Sequence, residues 1–116
     1  EDKPWDLCVV RWMYVDDQEH IELGVQVLSS CARPVQVVFR SPQRRELPQP
    51  ALLLPAIPAI RANEAVLAPA GCCVSRRFVM VVEGEQTRVL QGRLISLDLQ
   101  TSTVELFQFQ TDPYPI

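Results

Sequence analysis

The sequence predicts an all-β protein, a small antiparallel barrel or sandwich of about six strands. Apolar residues recur at every second position in several short segments, the rhythm of half-buried strands. Turn-forming residues separate those segments, and no long amphipathic helical pattern lies between them. Ten prolines against four glycines are dispersed along the chain. Proline cannot donate to a helix or to a central ladder, so stiffly connected extended pieces are favoured.

The first element is a hairpin. Residues 7–15 are rich in β-branched and aromatic side chains without helical rhythm. After an acidic loop, Ile21, Leu23, Val25 and Val27 alternate with Glu22, Gly24 and Gln26. Trp12 and Tyr14 are expected on one strand face with Val10 and Cys8, as core or partner-anchoring aromatics. Asp16, Asp17 and Glu19 are read as solvated tip residues, since no nucleophile or second base is placed near them in sequence.

Val35, Val37 and Phe39 define a third strand. Residues 41–50, polar and proline-bearing, are a loop and a weak internal boundary. Residues 51–60 are apolar, but Pro55 and Pro58 would each cost a helix about 3 kcal/mol. An extended edge segment is therefore expected. If exposed, Leu52, Leu53, Leu54 and Ile57 form a partner-docking edge guarded by proline; if buried, they are core. A short strand is expected around Ala65–Leu67, with a helical turn as the alternative, then strands over 78–82, 87–97 and 103–110, giving six or seven. Gly84 serves the turn at 83–86, and Gly92 within a strand signals a bulge or a close backbone approach. The tail from Asp112 is not expected to join a ladder.

A chain of 116 residues fits one β-domain, residues 1–116, large enough for a single core. A net charge of −3 does not point to a nucleic acid polymer or an anionic membrane. No segment is long enough to span a bilayer as a helix. Cys8, Cys31, Cys72 and Cys73 show no metal-ligand spacing, and His20 has no ligand-like partner nearby in sequence. All four thiols are read as small, buried or half-buried groups in a reducing, cytoplasmic compartment. Neither a metal nor a cofactor is expected, and no nucleophile–base pair or phosphate loop marks an enzyme.

Of eleven cations, ten are arginine and only Lys3 is lysine. Arginine is a planar fork suited to phosphate or carboxylate. Arg40, Arg44 and Arg45 are the candidate ligand-binding residues, an extended group able to chelate phosphate bidentately. A solvated polar loop is the plainer alternative. Arg76, Arg77, Arg88 and Arg93 offer a second basic patch, with cross-strand pairing to Glu83, Glu85 or Glu105 expected.

The hairpin Leu7-Cys-Val-Val-Arg-Trp12, an acidic turn, then Ile21-Glu-Leu-Gly-Val-Gln-Val-Leu28 resembles the closing strands of bacterial PilZ domains. Residues 35–116 are similar to the β-rich extension that follows such a hairpin in some PilZ-type proteins. The resemblance implies a β-barrel context, a C-terminal portion of a longer protein, and cyclic di-GMP as ligand. That family binds it through R-x-x-x-R and D/N-x-S-x-x-G motifs placed before the hairpin. Here Arg40-Ser-Pro-Gln-Arg44 has the first spacing but follows the hairpin, and Asp98-Leu-Gln-Thr-Ser does not fit the second. The sequence thus predicts a non-enzymatic binding or regulatory domain of a PilZ-like protein, contacting cyclic di-GMP or a partner. The alternative is an interaction or dimerisation module, through a protein partner or self-association, that binds no nucleotide.

Overall fold

The computed structural model describes residues 6–41 and 47–112. Eight antiparallel strands form: β1 (Leu7–Val15), β2 (Ile21–Ser29), β3 (Arg33–Phe39), β4 (Gln49–Leu54), β5 (Ala65–Pro69), β6 (Arg77–Val82), β7 (Arg88–Gln100) and β8 (Val104–Thr111). The chain divides into two compact units, residues 1–32 and 33–116. Residues 41–50, the boundary that composition suggested, lie inside the second. No helix among the described residues is long and apolar enough to cross a membrane.

The first unit is the hairpin β1–β2. Asp16 shapes its turn: Oδ1 accepts the N–H groups of Gln18 and His20, both at 2.8 Å, while Oδ2 lies 3.1 Å from His20 Nδ1. The His20 backbone donor is the main reason the Asp16 carboxyl sits below its ordinary value. His20 thus has a partner that lay unrecognised in the sequence. Glu19 closes the turn with φ of 66°, a left-handed geometry uncommon outside glycine.

One irregularity decides which residues share a face. Val10 lies opposite Val25 and Trp12 opposite Gly24, so Arg11 is the extra residue of a β-bulge. Directly opposed residues share a side, so the bulge reverses the alternation along β1. Cys8, Val10, Met13 and Val15 stand with Val27, Val25, Leu23 and Ile21 on one wholly apolar face. Trp12 and Tyr14 stand on the other, above Gly24 and Glu22, and do not share the face of Val10 and Cys8 as simple alternation implied. Both faces are open, with Met13 on one 64 % and Tyr14 on the other 59 % exposed.

The second unit is a closed six-stranded barrel in the order β3-β4-β5-β8-β7-β6. Its interior is filled by alternate residues: Val35, Val37 and Phe39 of β3, Phe78, Met80 and Val82 of β6, Phe107 and Phe109 of β8, with smaller Ala51 and Ala68 on β4 and β5. All four phenylalanines meet here, Phe78 lying 5.1–5.5 Å from the other three ring centres in tilted or edge contacts. Gly92 on β7 is the close approach the sequence signalled. Phe78 covers it, and a Cβ there would collide with the ring.

Closure alters the reading of residues 51–60. β4 is paired on both sides, by β3 and β5, so Leu52–Leu54 are not an edge. Pro55 follows the strand, and Ile57 opens a tight turn bridged to Arg61. Barrel closure hides backbone groups that an open sheet would leave bare.

Candidate functional site: an arginine cleft at the barrel end

The site follows from strand register. Phe39 pairs with Phe78, so Arg40 and Arg77 are the next residues outward on neighbouring strands. The Arg40 N–H donates to the Arg77 carbonyl at 3.0 Å. Arg76 is fixed from the other side, its carbonyl accepting the Leu94 N–H at 2.8 Å. Ser75 Oγ donates to the Arg77 carbonyl at 3.1 Å, holding the chain where it enters β6. Arg40, Ser41, Ser75, Arg76 and Arg77 line one cleft of about 520 Å³. Across β6–β7, Arg93 lies directly opposite Arg77.

Like charges placed directly opposite destabilise a sheet. A carboxylate offsets part of that cost: Asp112 Oδ2 lies 3.4 Å from Arg77 Nε, the acid side chain 2 % exposed and the arginine 50 %. The Asp112 N–H donates to the Gln91 carbonyl at 2.8 Å, so the ladder runs one residue beyond β8. That corrects the expectation that Asp112 stands free of the sheet. Residues 113–116 lie outside the described residues.

Arginine is charged at all physiological pH values and only donates, so the cleft offers fixed positive charge and N–H donors. Its forks suit phosphate or carboxylate oxygens, and the two serine hydroxyls can add neutral donors.

The structure redistributes the candidates read from sequence. Arg40 is in the cleft; Arg44 and Arg45 lie outside the described residues. Arg76 and Arg77, assigned to a separate patch, join Arg40, whereas Arg88 sits opposite Val82 at the far end of β6. Glu105 is not the partner of these arginines. It is buried, accepting the N–H groups of Gly71 at 3.1 Å and Cys73 at 3.3 Å and the Gln100 amide at 3.1 Å. Burial raises its pKa, but these donors and the Cys73 thiol outweigh that and hold it below the ordinary value. Burial, with Glu105 beside it, pushes the Cys73 thiol strongly up.

Trp12 is exposed, its indole lying over Gly24. Leu53 and Leu54 are buried in the barrel, where no partner reaches them, while Leu52 and Ile57 are half-buried. Leu52 lines a second, apolar groove of about 460 Å³ with Pro34, Leu67 and Val104. None of the four cysteines is in a disulfide; Cys72 and Cys73 are half-buried, but Cys8 and Cys31 are exposed, contrary to the expected burial. Ser41, Ser75 and Asp112 escaped sequence reading, since nothing local sets them apart; only register brings them to the arginines.

Residues 35–112 match the FimW C-terminal beta-barrel domain, a span covering β3 to β8 and the cleft, with Asp112 as its last residue. The chain belongs to this family. No curated protein and no solved structure matches it. The FimW-type barrel therefore comprises the second unit almost entirely, and the β1–β2 hairpin lies before the matched span.

Proposed function

We propose that this FimW-type barrel is a non-enzymatic regulatory domain of a bacterial, cytoplasmic PilZ-like protein, working in cyclic di-GMP signalling. The observation that carries this reading is the gathering of Arg40, Arg76 and Arg77 into one cleft with Ser41 and Ser75. Three permanent cations gathered where β3 ends and β6 begins are suited to phosphate oxygens, and cyclic di-GMP presents two phosphodiesters. The hairpin supports the PilZ-like context. It is similar in sequence to the closing strands of that family, and its wholly apolar face suits the inner wall of a further β-unit.

Partner contact without nucleotide is the second reading, favoured by the same apolar face, on which Val10, Met13, Val15, Ile21, Leu23 and Val25 are each more than half exposed. Titration calorimetry of the chain with cyclic di-GMP separates the two. Micromolar binding that is lost in an Arg40→Ala/Arg77→Ala double variant supports the nucleotide reading. No heat at high ligand concentration leaves contact with a protein surface.

A further inference from the structure

Arg93 is not part of the cleft lining, yet strand register puts it on the same wall. Phe39 and Phe78 are buried in the barrel, and a Cβ on Gly92 would point into the Phe78 ring. Residues 39, 78 and 92 therefore face inward, so Arg40, Arg77 and Arg93, one step along each strand, face outward. The Arg40 N–H donates to the Arg77 carbonyl, and Arg77 is paired with Arg93. The three exposed arginines form a row across β3, β6 and β7 that spans two strand spacings, about 10 Å. This placement costs the fold stability, because like charges opposed in a ladder repel. Asp112 lies against Arg77, whereas Arg93 holds no ion pair among the described residues, and its neighbour on β8 is the neutral Gln110. The next outward positions along the row, Val38, Val79 and Gln91, carry no charge either.

We propose that Arg93 is a further ligand-contacting residue, which with Arg40 and Arg77 holds a phosphate-bearing ligand that reaches out of the cleft and across β6. The inference rests on the anion-binding reading above and narrows the ligand class. The ligand is an organic phosphate wide enough to extend from β3 to β7, such as a cyclic dinucleotide, and not a single phosphate group. A ligand anion between Arg77 and Arg93 turns their mutual repulsion into a shared attraction. The row thus exchanges stability of the empty barrel for affinity, as binding sites commonly do.

The test compares the wild-type chain with Arg93→Gln and with Arg88→Gln, which removes the same charge at the start of β7. Without ligand and at low salt, Arg93→Gln should melt above the wild type, the gap closing in high salt as the repulsion is screened. Calorimetry with cyclic di-GMP should show affinity about tenfold weaker in Arg93→Gln, the loss of one charged hydrogen bond, and unchanged in Arg88→Gln. Inorganic phosphate, followed by amide chemical shifts, should bind all three proteins alike. A cyclic di-GMP affinity indifferent to Arg93 would overturn the proposal. So would equal losses in the two variants, which mean general attraction, or a phosphate affinity that falls as far as that for cyclic di-GMP. An Arg93→Gln chain that melts below the wild type would show Arg93 to serve the fold, and overturns the proposal with no ligand present. Inorganic phosphate bound without cyclic di-GMP sinks this inference and leaves the cleft an anion site. Neither probe bound by the wild type sinks the anion-binding reading itself, and this inference with it.

Discussion

The Arg40 N–H donates to the Arg77 carbonyl at 3.0 Å, and this bond joins two arginine groups that the sequence keeps far apart. It continues the β3–β6 ladder one step beyond Phe39 and Phe78, so the core pairing that closes the barrel also assembles the cleft. The ladder fixes the backbone from which Arg40 and Arg77 project, while Ser75 and Arg76 lie in the bend that leads into β6.

Replacing Arg40 or Arg77 should therefore weaken phosphate-ligand binding by about 1.5–3 kcal/mol, the usual worth of a charged hydrogen bond. Arg88→Ala, at the opposite end of β6, should leave affinity unchanged. Calorimetry on Arg40→Ala, Arg77→Ala and Arg88→Ala checks this, and equal losses in all three would mean general electrostatics rather than a site.

Gly92 carries the aromatic core. Phe78 occupies the space a side chain would need, and a buried ring in a packed barrel cannot retreat cheaply. Gly92→Ala should cost about 1–3 kcal/mol of stability, as overpacked cores do. A thermal melt unchanged from the wild type would show that Phe78 has room to move.

Glu105 gives the barrel a pH dependence of known sign. Its folded pKa is lowered, so its contribution is complete above the unfolded value, near 4.5. The contribution falls as pH drops from there through the lower folded value. Melting temperatures of the wild type should therefore drop more steeply below pH 4.5 than those of Glu105→Gln. At neutral pH the variant should be less stable by about 1–3 kcal/mol, since an amide cannot replace the carboxylate as acceptor for all its donors.

The hairpin face makes a separate prediction. Leu23→Ser and Val25→Thr together should reduce binding of a hydrophobic dye without changing the melt of the barrel, because both residues are half-exposed or more on the apolar face. Loss of barrel stability in that variant would argue against the hairpin being a unit of its own.

Much of the fold was legible because strand rhythm and turn residues are local. Val35-Val37-Phe39 and the run from Phe78 to Val82 announce inward-facing alternation, and Gly92 marks the close approach that Phe78 makes. What escaped was set by long-range pairing. The bulge at Arg11 moves Trp12 and Tyr14 to the face opposite Val10 and Cys8, and no residue type there signals it. Leu52–Leu54 read as an edge until closure placed β5 beside them. The cleft was half visible: arginine-rich segments were apparent, but register alone decides that Arg76 and Arg77 meet Arg40, that Arg88 does not, and that Asp112 reaches Arg77.

The most direct test of the central claim is a ¹H–¹⁵N correlation spectrum of the chain titrated with cyclic di-GMP. Shifts should concentrate on the amides of Arg40, Ser41 and Ser75–Arg77 and on the arginine Nε–H signals, and should be absent in Arg40→Ala/Arg77→Ala. Shifts gathered elsewhere on the barrel, or a spectrum that does not move at millimolar ligand, would contradict the cleft as the nucleotide site.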